Sequence, residues 1–108
     1  MSMERTRLTT SEQAESFYRR VTDETARSIL DFLIDHPDER FDGAALVRHL
    51  GLSEHRQVAR VTYYMGQIAT ELGHDRPWTE GQLGYLMPAE QADLLRQARD
   101  TVLAGTAS

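Results

Sequence analysis

Two opposed patterns run along residues 53–72. Apolar residues recur at spacings of three and four, which places them on one face of an α-helix. Polar residues recur at spacings of four, three and four on the opposite face, at about 100° per residue. The apolar face comprises Val58, Val61, Met65, Ile68 and Leu72, and the polar face comprises Arg56, Arg60, Tyr63 and Gln67. The pattern predicts a helix from Ser53 to Leu72 with one packed and one exposed face.

The first third of the chain predicts two shorter helices. Thr10 and Gln13 have the spacing of a capping box, so one helix should begin there. Thr22 is the predicted N-cap of the next helix. That helix should end at His36, because the residue before Pro37 is disfavoured in the α conformation. The residues expected to face inward are Ala14, Phe17, Tyr18, Val21, Ala26, Ile29, Leu30, Leu33 and Ile34, with Phe32 at the edge.

The middle of the chain predicts a minimal strand and a brief helix. Residues 40–42 are long enough only for a bridging strand. A helix over residues 43–50 should bury Ala45, Leu46 and Leu50. Gly51 suits a left-handed C-terminal cap, and Ser53 should cap the long helix that follows.

The last third predicts a β-hairpin and a final helix. Residues 78–80 and 83–86 flank Gly81-Gln82, a loop with glycine first, as a type II′ turn prefers. Trp78 and Tyr85 are expected to lie opposite each other across this hairpin and to pack. Pro88 then opens a helix that reaches Leu103. Its apolar stripe comprises Ala92, Leu95, Ala98 and Val102. We expect one domain over residues 10–104, with disordered tails at 1–9 and 105–108.

Charge is unevenly distributed. The chain has seventeen acidic residues and twelve basic residues, all of the basic ones arginine, and its net charge is −5. This balance argues against strong non-specific binding to nucleic acid. Residues 40–70 nevertheless hold four arginines and two acids, whereas the flanking stretches are acidic. Local potential matters more than the total, and each guanidinium is a planar fork that can bind a phosphate or a guanine edge bidentately.

Other classes of chemistry find little support in the residues. The chain lacks cysteine, its histidines are scattered over different elements, and no phosphate-binding loop or nucleophile motif is present. We therefore expect no enzyme activity, metal or cofactor. A weaker alternative is an enzyme or ligand sensor with a pocket lined by Tyr18, Trp78 and Tyr85. No apolar run approaches the roughly 20 residues of a membrane span, and no signal peptide is recognisable, so a cytoplasmic location is expected.

The order of predicted elements resembles winged helix-turn-helix DNA-binding domains of bacterial regulators. Residues 44–53, AALVRHLGLS, are similar to the first helix and turn of that motif, and the resemblance covers about residues 23–99. It implies a mainly α fold with a small β-hairpin and extra N- and C-terminal helices. It also implies that the helix over 53–72 is the recognition helix and that residues 78–86 form the wing. More narrowly, the chain resembles a group of short uncharacterised proteins of high-GC bacteria. The stretches that carry this likeness are FYR at 17–19, LIDHP at 33–37, PW at 77–78 and YLMP at 85–88.

These observations lead to a hypothesis of a DNA-binding transcriptional regulator. Recognition helices contact base edges mainly through their N-terminal half, which makes Arg56 and Arg60 the best contacts. The full set of predicted DNA-binding residues is Arg48, Ser53, His55, Arg56, Gln57, Arg60, Tyr63 and Gln67. Double-stranded DNA is the expected partner, and a homodimer is expected because two half-sites multiply affinity.

Two features oppose that hypothesis. Glu54 lies where an acid repels phosphate unless it accepts from a cytosine amine, and Glu80 stands on the wing where a cation would be expected. The alternative is a winged-helix module that binds a protein partner through its acidic surface and does not contact DNA.

Overall fold

The computed structural model describes residues 6–106. Within that range the chain forms five helices and a small three-stranded antiparallel sheet, so the predicted mainly α class with a β-hairpin is confirmed. The elements in chain order are α1 (Ser11–Arg20), α2 (Glu24–Asp35), β1 (Arg40–Phe41), α3 (Gly43–Leu50), α4 (His55–Glu71), β2 (Thr79–Gly81), β3 (Gly84–Leu86) and α5 (Ala89–Thr106). None of the helices in the described range is long and apolar enough to cross a membrane.

Local capping residues set where the first helices begin. The capping box between Thr10 and Gln13 is present, as predicted. The predicted cap of α2 is wrong by one residue, because Asp23 and not Thr22 is the N-cap, accepting from the Ala26 amide at 2.9 Å. A carboxylate is favoured there because the N-terminal end of the helix dipole is positive. The helix ends at Asp35, and His36 is its C-cap, as the following proline predicts.

The core forms where the helical periodicity predicts it. All nine residues expected to face inward from α1, α2 and the intervening loop are buried, and Phe32 lies at the edge. Burying side chains of this size typically stabilises a fold by about 1.5–3 kcal/mol each. Helix α5 packs on α1 and α2 of its own chain. It thereby buries its apolar stripe, which comprises Ala92, Leu95, Ala98 and Val102.

The segment before α1 is held to α5 by a buried amide. Gln91, only 2% exposed, accepts from the Leu8 amide at 3.2 Å and donates to the Leu8 carbonyl at 2.9 Å. Thr6 also forms a β-bridge with His74. The expected tail over residues 1–9 is therefore wrong for residues 6–9, because both backbone groups of Leu8 are satisfied inside the domain. Residues 1–5 lie outside the described range.

The tail expected after residue 104 also needs correction. Helix α5 continues to Thr106, because nothing at Gly105 imposes a left-handed cap such as the one that ends α3 at Gly51. Residues 107–108 lie outside the described range.

The sheet has the order β1-β3-β2, with Phe41 opposite Tyr85 and Gly81 opposite Gly84. The hairpin turn is therefore Gln82-Leu83, and the predicted type II′ turn at Gly81-Gln82 is wrong, since Gly81 lacks the positive φ that such a turn needs. Gly84 has the positive φ instead, +116°. The predicted pairing of Trp78 with Tyr85 is also wrong, because this register puts Glu80 opposite Tyr85.

A hydrogen-bonded network ties Tyr18 to two other helices. Its hydroxyl donates to Asp31 at 3.0 Å, and the Arg27 guanidinium lies 4.0 Å from the centre of its ring. Arg99 of α5 pairs with Asp31 at 3.6 Å and with Asp35 at 2.8 Å. Burial, reinforced by the hydrogen bond to the Asp31 carboxylate, raises the pKa of Tyr18 to about 12.

This raised pKa predicts a loss of stability in alkali. Below pH 10 the proton is bound in both states, so the contribution of Tyr18 is fully present. Between pH 10 and 12 the unfolded chain releases the proton first, and the free energy of unfolding should fall by about 2 kcal/mol in total. Urea unfolding at pH 9 and pH 11 measures about half of this loss, since pH 11 lies midway between the two pKa values. Tyr18→Phe should lose less than wild type over this interval, because it lacks the group whose pKa differs between the folded and unfolded states; equal losses would contradict the assignment.

Candidate functional site

Helix α4 begins two residues later than predicted. Its first residue is His55 and its N-cap is Glu54, so the assignment of Ser53 as the cap is wrong. The reason is the Gln57 side chain, whose Oε1 accepts from the Ser53 amide at 2.9 Å, the Ser53 hydroxyl at 3.1 Å and the Glu54 amide at 3.2 Å. These hydrogen bonds satisfy the amides of Ser53 and Glu54 and the Ser53 hydroxyl, so the serine hydroxyl is not used to cap the helix. Ser53 and Gln57 thus fix the start of the helix.

The two faces of α4 are separated as the spacing predicts. Val58, Val61, Met65 and Ile68 are buried, and Leu72 packs against the core at the C-cap. Two small residues, Thr62 and Gly66, are buried beside them. The Thr62 hydroxyl donates to the Val58 carbonyl. The opposite face is exposed to solvent and comprises Arg56, Arg60, Tyr63 and Gln67. Tyr63 is 63% exposed, an unusual position for a large ring.

The arginines divide sharply by position. Most of those in the described range bind a carboxylate or a backbone carbonyl: Arg7, Arg19, Arg20, Arg27, Arg76, Arg96 and Arg99. The guanidiniums of four others make no ion pair or hydrogen bond with any described residue: Arg40, Arg48, Arg56 and Arg60. All four are exposed and lie within 21 consecutive residues. We call them the unpaired arginines.

The histidines near this region differ in their surroundings. His55, the first residue of α4, is exposed, and its Nδ1 lies beside Gly43 at the start of α3. His49 of α3 packs its ring against Phe32 and Phe41, at centroid distances of 5.2 and 5.9 Å. Arg48, the residue before His49, is exposed. His55 and Arg48 are therefore accessible to a ligand, while His49 has a packing role as well.

The acid on the hairpin is neutralised within the chain. The Glu80 carboxylate accepts from Trp78 Nε1 at 2.8 Å and pairs with Arg76 at 3.1 Å. The apex of the hairpin is Gln82-Leu83, so Glu80 is not at the tip. Sequence reasoning missed this arrangement, because residues 76–80 form no helix, on which alone a four-residue spacing indicates an ion pair. A shallow cleft separates α4 from the hairpin, lined by Ala59, Thr62, Tyr63, Arg76, Glu80 and Tyr85.

The structure does not bring together the three aromatic residues that were expected to line a ligand pocket. Tyr18 is engaged by Asp31 between helices, whereas Trp78 and Tyr85 line different clefts. Residues 6–106 also contain no cluster of three or more histidines or acids that could hold a metal ion.

Comparison with known proteins gives a family and no activity. A model of a family of unknown function, DUF6416, matches residues 11–102. The chain belongs to this family. The match runs from the first residue of α1 almost to the end of α5, so α4, the hairpin and the unpaired arginines all lie within it. No curated protein and no solved structure matches the chain.

Proposed function

We propose that this DUF6416 protein binds duplex DNA through the exposed face of α4 and regulates transcription. The observation that carries the proposal is the confinement of the unpaired arginines to residues 40–60, in a chain whose other described arginines are engaged internally. A guanidinium without an internal partner keeps its donors available for phosphate or a base edge. The local positive charge answers the objection raised by the net charge of −5.

The architecture supports a winged helix-turn-helix reading of the fold. Helices α3 and α4 are joined by a short turn at Gly51, which is left-handed with φ +66°. The hairpin of β2 and β3 follows α4 and is extended by β1. In this reading α4 is the recognition helix, the hairpin is the wing, and α1 and α5 are additions outside the motif. Because α4 has 17 residues, it is about 26 Å long, enough to lie in a major groove.

The proposed contacts divide by position along the helix. Arg56 and Arg60 belong to the N-terminal half, which approaches base edges most closely in helix-turn-helix complexes. Arg48 on the preceding helix would contact the phosphate backbone, and Tyr63 and Gln67 would contact sugar or phosphate further along. Ser53 and Gln57 act indirectly in this proposal, by fixing where α4 begins. The ion pair with Arg76 compensates the negative charge of Glu80. This pairing meets the objection that an acid lies on the wing.

The homodimer stays a prediction. Helix α5 buries its apolar stripe within its own chain. An interface on α5 would have to use its outer side, where Leu103 is 53% exposed. The proposal for DNA binding does not depend on it.

Fluorescence anisotropy with labelled fragments of genomic duplex DNA tests the proposal. At about 50 mM salt we expect a dissociation constant below about 10 μM, since DNA-binding proteins reach that level without a specific site. The logarithm of the binding constant should fall linearly with the logarithm of salt concentration, with a slope of about −2 to −4 for two to four phosphate contacts. Absence of binding at 10 μM protein would overturn the proposal.

One observation favours the alternative, a protein-binding module. The hairpin apex carries Leu83, which is 72% exposed, and residues 81–84 include no cation. An apolar apex suits a protein surface better than a phosphate backbone. If the anisotropy experiment shows no binding to duplex DNA, this module becomes the favoured function.

A further inference from the structure

The first half of α4 has only one kind of side chain that is free to make a bidentate contact with a base. Bidentate recognition of adenine needs an amide that donates to N7 and accepts from the N6 amine. Gln57 has the right group and the right position, but its Oε1 already accepts from Ser53 and Glu54. The chain contains no asparagine. Adenine therefore has no free bidentate partner in this half of the helix.

The guanidiniums of Arg56 and Arg60 are free to make the other bidentate contact. Each presents two parallel N–H donors, which match the O6 and N7 acceptors of guanine. Both are exposed, and neither has a hydrogen bond or ion pair to a described residue. Since these residues are four apart, their Cα atoms lie about 6 Å apart along the helix axis. Stacked base pairs are about 3.4 Å apart, so the two side chains reach neighbouring or next-but-one base pairs.

The presence of Glu54 favours contact with base edges, and not with phosphate, at the N-terminal end of α4. It is the exposed N-cap residue of α4, two positions before Arg56. A carboxylate is repelled by a phosphate group, but it accepts from the N4 amine of cytosine. A carboxylate at the N-terminal end of α4 thus fits the amine of a cytosine better than it fits the DNA backbone.

We propose that α4 recognises a duplex site containing two guanines, adjacent or separated by one base pair, one read by Arg56 and the other by Arg60. This inference rests on the proposed function and names the DNA that the same surface selects. Gln57 takes no part in the readout, since its carbonyl stays committed to the helix start.

Selection from a library of randomised duplexes tests the inference. Wild-type protein should enrich a motif with two guanines at this spacing. Arg56→Ala should lose the preference at one guanine and Arg60→Ala the preference at the other. A motif without guanines, or one that both arginine variants leave intact, would overturn the inference.

A chemical substitution in the DNA gives the sharper readout. In 7-deazaguanine the N7 acceptor is replaced by carbon, so each bidentate contact loses one hydrogen bond. At each selected guanine this change should weaken wild-type binding about tenfold. It should have no further effect on the variant that lacks the arginine reading that base. If wild-type protein binds the 7-deazaguanine duplex as tightly as the guanine duplex, the guanine readout is wrong and the proposed DNA binding stands. Loss of all binding to any duplex overturns the proposed function as well.

Discussion

Replacing Arg56 and Arg60 together by alanine is expected to lower affinity for duplex DNA about 100-fold at low salt. Each side chain contributes a charge-assisted contact worth roughly 1–3 kcal/mol, and about 1.4 kcal/mol corresponds to a factor of ten. The fold should be unaffected, because both side chains are exposed and bind no described residue, and alanine favours helix. Circular dichroism and anisotropy measure the two properties. The single variants, which bind within the measurable range, should each lower the affinity about tenfold.

A matched control separates position from charge. Arg7→Ala with Arg19→Ala removes the same two positive charges from the other part of the chain, where both side chains are exposed and paired with Glu90 and Glu15. This control should bind DNA within about threefold of wild type, because both charges are already paired with carboxylates and neither belongs to the exposed face of α4. Equal losses in the two double variants would show that α4 is not the interface and that only total charge matters.

Gly84→Ala is expected to destabilise the protein by about 2–4 kcal/mol. The residue has φ +116°, a conformation that side chains rarely adopt. A Cβ there would also collide with the carbonyl of Phe41 on the neighbouring strand. Strain and overpacking each cost roughly 1–3 kcal/mol, and relief requires that β1 separate from β3. Urea unfolding monitored by Trp78 fluorescence gives the free energy of unfolding.

The partner glycine across the hairpin is the control for this prediction. Gly81 lies opposite Gly84 in the register, has no positive φ and has open space where a Cβ would lie. Gly81→Ala should therefore change the free energy of unfolding by less than about 0.5 kcal/mol. If the two variants are equally stable, the close approach of β1 to β3 is not required for the fold.

The parts of the fold that follow from spacing could be predicted, and those that depend on a choice between neighbours could not. Burial on α4 follows directly from the three-and-four spacing of Val58, Val61 and Met65. The helix starts were each missed by one or two residues, because spacing does not decide between adjacent cap candidates, Thr22 or Asp23 and Ser53 or Glu54. The turn was missed because the pairing of Phe41 with Tyr85, a long-range contact, sets the register.

The sequence predicted which residues of the candidate site are exposed, but not which charged side chains are paired within the chain. Periodicity alone places Arg56 and Arg60 outward. Which arginines are paired depends on tertiary contacts, such as that of Arg99 with Asp35, which are 64 residues apart. Likewise, the acid at Glu80 looked like an obstacle on the wing until its contacts with Trp78 and Arg76 were known.

The double hydrogen bond between Leu8 and Gln91 joins residues 83 positions apart, which has a consequence for synthesis on the ribosome. Leu8 acquires this partner only after residue 91 has left the exit tunnel. Until then α1 lacks the helix that covers it, since α5 supplies much of its packing. A product truncated before α5 therefore keeps only the contacts of Thr6 with His74 and Asp75 to hold the segment before α1.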